Sequence, residues 1–262
     1  MTKLINIVLA AMLLTAPAAA QSVMQGVDMT SPAMTEATMT RAEVETILAD
    51  AKTKGQPADL TGARLNGLDL SGLDFSDAIL RAARLNKASL VGANLDGANL
   101  DQAWLHSATL RGASLKAANL FQTQLIRADL SNADLTGARA PANFTRADLT
   151  GAIFRNADLS ADMKNQSMGL MRGDLTKATL TGADFEGANL ARVVFDFAVL
   201  TDSRLVGANL MGASLSGARL NQTDVTGANF NEADVTGTRL NGLIGEDKSS
   251  LSKAKNLDRA IR

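Results

Sequence analysis

A leucine or phenylalanine occupies every fifth position from Leu60 to Leu135, sixteen positions in succession. An amphipathic helix would repeat its apolar residues every three or four positions, and a half-buried strand every two. A five-residue period therefore requires a backbone unit that combines one short straight segment with one corner. Units of this kind stack into a solenoid.

The residue two positions before each central Leu or Phe is usually alanine, and the whole unit has the order small, polar, Leu, polar and often Gly. Residues 58–62, 93–97 and 133–137 are examples. This motif resembles that of the pentapeptide-repeat family over most of the chain. The resemblance implies an all-β solenoid, namely a right-handed quadrilateral β-helix with four units per coil and about nine coils. The central and small residues would fill its interior.

The repeat region is predicted to span residues 58–242, with two irregularities. After Leu135 the central residues Phe144, Leu149, Phe154 and Leu159 run one residue short of the original phase, and the phase has returned by Leu175. We therefore expect a bulge or small loop at 139–143 and a larger one within 160–174.

Helices are predicted on both sides of the repeats. Thr40 and Glu43 form a capping-box sequence, which predicts an N-terminal capping helix over residues 41–55. Apolar residues at helical spacing predict a C-terminal helix over residues 246–262. The second helix could cover the last coil or form a homodimer contact, as the resemblance to gyrase-protecting family members also suggests.

Residues 1–20 have the layout of a secretory signal peptide: a basic residue, a short apolar stretch and a small-x-small site. We expect cleavage after Ala20, a periplasmic or secreted protein and no transmembrane span in the mature chain. Residues 21–40 are expected to be a flexible Met/Thr-rich segment. A second interpretation is a thioether site for Cu(I), because methionines recur every five residues at Met24, Met29, Met34 and Met39.

Composition argues against several kinds of function. The chain has 262 residues with 26 basic and 27 acidic side chains, and loss of residues 1–20 removes only Lys3, which gives a net charge of −2. Nucleic acid is therefore not a favoured partner. The chain has no Cys and one His, and it lacks a phosphate-binding loop or metal-ligand spacing. We expect no enzyme activity, no catalytic residue, no metal site and no cofactor.

The solenoid's outward faces can be read from positions twenty residues apart. The side centred on Leu65, Leu85, Leu105 and Leu125 projects four cations, the only Trp and the only His, but no acid. These residues form a candidate interaction face: Arg64, Arg84, Lys87, Trp104, His106 and Arg127. The alternative is a chance distribution of surface charge.

A second candidate surface is apolar. Val194, Phe197 and Val199 occupy positions that should face outward. They predict either a contact patch or a surface covered by a nearby loop.

These patterns favour a non-enzymatic, exported scaffold that binds an unknown protein or envelope component, such as an anionic glycan or a lipid head group. One alternative, carried by the family resemblance, is a DNA-mimicking protein that protects a topoisomerase. The balance of 19 acidic and 17 basic residues over 58–242 argues against it. Cu(I) binding through methionine is the other alternative.

Overall fold

Parallel backbone bridges join residues twenty positions apart throughout the regular part of the repeat. The computed structural model describes residues 27–163 and 171–262. Arg64 bridges Arg84, which bridges Trp104, and the same pattern recurs on three other sides. Four five-residue units therefore complete one coil, as the family resemblance implies. We name the four sides after their first central residues: the Leu60, Leu65, Leu70 and Phe75 sides.

Each side is too short to form a continuous strand. Only the residue before the central Leu forms a bridge, flanked by two hydrogen bonds: the Trp104 amide donates to the Ala83 carbonyl at 2.8 Å and the Leu85 amide donates to the Trp104 carbonyl at 2.7 Å. The next two residues form the corner, which closes when the amide of Ala88 donates to the carbonyl of Leu85 at 3.0 Å. The described part of the chain accordingly contains isolated bridges rather than continuous strands.

The interior is filled by the central residue and the small residue of each unit. Leu105 and Ala103 are fully buried, as are their counterparts on adjacent coils. The rings of Phe154 and Phe185 stack at 4.8 Å between centroids, and Phe144 and Phe195 each meet this pair edge-on at 6.1 Å. Alanine is the usual residue at the small position of this close-packed interior, although Thr123, Val193 and Thr223 are also fully buried there.

The two irregularities lie at the same corner of successive coils, between the Leu60 and Leu65 sides. At Pro141 the corner loses one residue, and the Ala142 amide donates to the Ala140 carbonyl at 2.8 Å. One coil later, Asn143 bridges Asp174, a separation of 31 residues instead of 20, so this corner contains eleven extra residues. The first irregularity is thus a shortened corner rather than the expected bulge. The second irregularity includes residues 164–170, among them Met168, which lie outside the described residues.

The N-terminal segment is ordered against the solenoid from residue 27, and the expectation of a flexible segment over 21–40 is wrong for residues 27–40. Helix α1 spans Pro32–Thr35, and Met34 is only 5% exposed. The Thr38 amide donates to the Arg64 carbonyl at 2.9 Å. Burial of Met34 and this backbone hydrogen bond offset the conformational entropy that is lost when the segment becomes ordered. Residues 1–26, which include the predicted signal peptide and Met24, lie outside the described residues.

Helix α2 spans Arg41–Lys54 and covers the first coil. The Thr40 side chain accepts from the Glu43 amide while the Glu43 carboxylate accepts from the Thr40 amide, which is the reciprocal arrangement of a capping box. Gly55 ends the helix with a φ of 62°, in the left-handed region that favours glycine. Val44 is fully buried against the solenoid core, so α2 shields the apolar end of the coil stack.

Residues 246–262 do not form the predicted C-terminal helix. They contain three short 3₁₀ helices, Glu246–Lys248, Leu251–Lys253 and Leu257–Arg259. Bridges continue beyond residue 242, since Lys255 pairs with Asp234 and Ile261 pairs with Arg239. Pairing with the preceding coil uses backbone groups that a continuous helix would need. The apolar spacing therefore serves an irregular final coil, in which Leu251 is 1% exposed.

No helix among residues 27–163 and 171–262 is long and apolar enough to cross a membrane.

Candidate interaction surface

The Leu65 side brings several of the predicted face residues together. Arg64, Arg84, Trp104 and Gln124 bridge one another in this order, at the spacing of about 4.8 Å that separates paired backbones. The side chains of Arg64, Arg84 and Trp104 are half-buried. Their alignment follows from the uninterrupted five-residue period over the first coils.

The chain's own N-terminal segment covers the first part of this face. Asn66 and Asn86 are each 4% exposed, because Asn66 Nδ2 donates to the Glu36 carbonyl at 3.0 Å and Asn86 Nδ2 donates to the Met34 carbonyl at 3.1 Å. Arg84 Nη1 also donates to a carbonyl of α1, at 3.4 Å. Arg84 therefore holds the N-terminal segment in place, and its substitution would disturb packing as well as charge.

His106 contributes a neutral polar group to the face rather than a positive charge. Burial lowers the pKa of His106, and the charges of Arg127 and Lys87 lower it further. The His106 amide donates to Asn86 Oδ1 at 3.0 Å, and its ring Nδ1 lies 3.2 Å from the Ser107 hydroxyl.

Lys87 and Arg127 lie at the corner between the Leu65 and Leu70 sides, where the structure adds residues that the sequence analysis missed. We call this column of corner residues the Lys87 edge; it comprises Lys87, Ser107, Arg127, Arg146, Lys177 and Phe197. The Arg127 amide donates to the Thr145 carbonyl at 3.0 Å and the Arg146 amide to the Thr176 carbonyl at 3.0 Å, so each corner rests on the next coil. Arg146 and Lys177 each lie two residues after a central residue, as do Lys87 and Arg127. This spacing is visible in the sequence. Assigning Arg146 and Lys177 to this edge, however, required knowing how many residues the irregular coils contain.

The predicted apolar patch lies at one end of the same edge. Phe197 is 60% exposed, with half-buried Val194 on the Leu65 side and half-buried Val199 on the Leu70 side of its corner. The ring of Phe197 covers Gly217 on the following coil, where an added Cβ would lie 2.7 Å from Phe197 Cδ1. Lys177 Nζ lies 6.0 Å from the Phe197 ring centroid. The two predicted surfaces are therefore continuous.

Cations on the Phe75 side have a different environment, because they are paired with acids. Lys116 Nζ lies 3.4 Å from Asp134 Oδ2, and Arg155 Nε lies 2.7 Å from Asp184 Oδ2. Within residues 27–163 and 171–262, by contrast, none of the four cations of the Lys87 edge forms an ion pair. The edge thus presents cations that no carboxylate of the described structure contacts directly.

Other possible sites are limited. In the described ranges, no group of three or more His, Cys, Asp or Glu side chains could hold a metal ion. A shallow open groove of about 280 Å³ lies between α2 and the first coil, lined by residues that include Leu48, Lys52, Leu73 and Asp74. Of the methionines considered for Cu(I), Met34 is buried and Met39 packs against the core, so both thioethers contribute to packing.

The repeat matches a family model described as pentapeptide repeats, in eight copies, over residues 58–97, 74–112, 113–140, 142–161, 174–212 and 208–242. The chain belongs to the pentapeptide-repeat family. Members of this family form right-handed quadrilateral β-helices, which agrees with the four-sided stack of bridges described above.

Solved structures of pentapeptide-repeat proteins resemble this family member. HetL from the cyanobacterium Nostoc sp. strain PCC 7120, a protein involved in heterocyst differentiation regulation, is 32% identical; the match covers 78% of this chain and 87% of HetL with a TM-score of 0.50. QnrB1, a plasmid-mediated fluoroquinolone resistance protein, is 19% identical over 71% of this chain and 89% of its own, with a TM-score of 0.36. A protein of the Arabidopsis thaliana thylakoid lumen is 29% identical over 53% of this chain and 72% of its own, with a TM-score of 0.15. Among curated proteins, none matches the sequence.

Proposed function

We propose that this pentapeptide-repeat protein is a non-enzymatic, exported scaffold of about nine coils that binds a protein or another envelope component through its Leu65 side. The observation that carries the proposal is the combination of half-exposed Trp104 with neighbouring cations that lack acidic partners in the described structure. Trp and Arg are the residue types most enriched at binding hot spots. The residues that fill the interior are used to build the coil stack, which leaves recognition to the outward positions.

Export is part of the proposal and is supported by residues 1–20 of the sequence. N-terminal sequencing of the native protein should begin at Gln21. A native protein that retains Met1 in the cytosol would remove the periplasmic or secreted location. It would also revive the DNA-mimicking alternative, which the near balance of charge otherwise disfavours.

A contact between two copies through the C-terminal segment remains a prediction. Ile244 is 56% exposed and Ile261 is 49% exposed in the final coil. Apolar side chains at an open end of a solenoid could pack against a second copy.

The decisive experiment is cross-linking with mass spectrometry in the native envelope, comparing Trp104→Ala with the matched control Met211→Ala. Met211 is an exposed apolar side chain at the corner between the Leu60 and Leu65 sides, five coils along the stack from Trp104. Loss of Trp104 should reduce the yield of the cross-linked partner at least about tenfold, as expected for a hot-spot aromatic. The control should retain the wild-type yield, and both variants should keep the wild-type unfolding midpoint. An unchanged partner yield in Trp104→Ala would refute the assignment of this face.

A further inference from the structure

We propose that the Lys87 edge binds an extended acidic polysaccharide whose chain runs parallel to the solenoid axis. This inference rests on the proposed scaffold function and names the chemistry of its partner. The binding residues are Lys87, Arg127, Arg146 and Lys177. Ser107 lies between the first two, and Phe197 ends the series.

The edge is linear because its residues occupy the same corner on successive coils. The Lys177 amide donates to the Asp196 carbonyl at 2.9 Å and the Phe197 amide donates to the Ser216 carbonyl at 2.9 Å, which continues the hydrogen-bonded series begun at Lys87. Adjacent coils are separated by about 4.8 Å, so Arg127, Arg146 and Lys177 place positive charges at regular steps. A polymer with an acidic group on each sugar residue also carries its charges at regular steps.

The backbone conformation along this edge is unfavourable for residues that carry a side chain. All six residues of the Lys87 edge are non-glycine with φ between 56° and 60°. A side chain in this left-handed region is disfavoured, and Lys, Arg and Phe lack the local hydrogen bonds that help Asn and Asp adopt it. The side chains of Lys87, Arg127, Arg146 and Lys177 are exposed, so burial does not offset the cost.

The neighbouring corner, between the Leu70 and Phe75 sides, has glycine more often. It carries glycine in the same backbone conformation on six of its nine coils: Gly72, Gly92, Gly112, Gly151, Gly182 and Gly242. The corner that carries the Lys87 edge has glycine only beyond the edge, at Gly67, Gly217 and Gly237. Non-glycine residues also adopt this conformation at other corners, for example Gln102, Ala117 and Arg192, so the edge is distinguished by the alignment of its cations on successive coils.

Acids near the edge make no ion pair with its cations in the described structure. Asp129 lies 3.7 Å from Arg111, and Asp148 accepts from the amide and hydroxyl of Thr150 at 3.0 and 2.6 Å. Asp196 accepts from the hydroxyl of Ser214. These carboxylates are held by partners other than the cations of the edge.

The groups beside the edge fit a sugar chain better than a nucleic acid. His106, Thr145 and Thr176 are half-buried polar residues immediately preceding the corner, and they offer hydrogen-bonding groups for hydroxyls. Single-stranded nucleic acids are usually bound by a series of aromatic platforms that stack on successive bases. The cationic part of this edge contains no aromatic residue, and the chain as a whole is only 3% aromatic.

The test is fluorescence anisotropy with the purified full chain and three labelled probes: oligogalacturonate, neutral dextran and oligothymidine. The test variant is Arg146→Ala with Lys177→Ala. Its matched control is Arg219→Ala with Arg239→Ala, which removes the same charge from exposed, bridged arginines on the Leu70 side that form no ion pair in the described structure. Oligogalacturonate should bind the wild type. The test variant should weaken this binding about tenfold, while the control should stay within about twofold of the wild type.

Three results would overturn the inference. These are no preference for oligogalacturonate over dextran, an equal loss in both double variants, or oligothymidine binding as tight as that of the glycan. If Trp104→Ala loses a cross-linked partner while oligogalacturonate fails to bind, the scaffold function stands and only the glycan assignment falls. If glycan binding depends on Arg146 and Lys177 but Trp104→Ala loses nothing, the proposed Leu65 face is wrong instead.

Discussion

Ser203 and Thr223 occupy the same interior position on adjacent coils, but their hydroxyl groups differ in hydrogen bonding. Thr223 Oγ1 donates to the Leu200 carbonyl at 2.6 Å. Ser203 is 2% exposed, and its Oγ has no hydrogen-bond partner in the described structure. Ala183 fills this position on the preceding coil and is fully buried. We predict that Ser203→Ala stabilises the protein whereas Thr223→Ala destabilises it.

The magnitudes follow from the two environments. Burying a hydroxyl without a partner costs about 1–3 kcal/mol, so Ser203→Ala should raise the free energy of unfolding by about 1 kcal/mol after the small loss of packing. Thr223→Ala removes a hydrogen bond with a net value of about 1 kcal/mol and a buried methyl group worth about 0.8 kcal/mol. The two variants should therefore differ by about 2–3 kcal/mol, with opposite signs relative to the wild type.

Urea unfolding followed by circular dichroism measures this difference, provided that the m-value is the same for all three proteins. Hydrogen exchange at the amides of Leu205 and Val225, which lie next to the substituted positions, gives a local check. A loss of about 1 kcal/mol or more in Ser203→Ala would mean that its hydroxyl has a stabilising partner. That result would refute the reasoning.

Two further predictions concern the core and the acid response. Leu105→Ala should lower the free energy of unfolding by about 3–5 kcal/mol, because the fixed coil spacing prevents collapse of the cavity. Leu73 is partly exposed in the first coil, so Leu73→Ala should cost less than half as much. Equal losses in urea unfolding would contradict the close-packed interior. Burial favours a raised pKa for Asp134, but hydrogen bonds from Thr136 and the charge of Lys116 outweigh it and hold the pKa below 3.8. The resulting stabilisation is complete above the ordinary pKa of the carboxyl group and is lost as pH falls through the lower folded-state pKa. Asp134→Asn should therefore flatten the loss of stability between pH ~5 and ~2. An unchanged stability profile would argue against this contribution.

Much of the solenoid could be predicted from the sequence because its interactions are local and repeated. Leu105, Ala103 and their equivalents face inward at each unit, and the capping box at Thr40 and Glu43 is contained in four residues. The C-terminal helix was predicted wrongly for the opposite reason. Its apolar spacing suits a helix, but pairing of Lys255 and Ile261 with the preceding coil determines the backbone.

The N-terminal segment also depended on distant contacts. The five-residue recurrence of methionine around Met34 did not indicate a packed segment, yet Met34 is buried because α1 meets Asn66 and Asn86 on the solenoid. Contacts separated by thirty to fifty residues leave no local pattern that would distinguish an ordered segment from a flexible one.

The sequence by itself determined the five-residue unit, its inward Leu and Ala, and the alignment of side chains over the uninterrupted coils. Only the tertiary structure decided which residues continue a column across coils of 19 and 31 residues, since the chain between Leu159 and Leu175 does not reveal where pairing resumes. That pairing aligns Arg146 and Lys177 with Lys87 and Arg127. The physical reason is that register is set by backbone hydrogen bonds between coils, whereas the repeat pattern reflects only which side chains each unit buries.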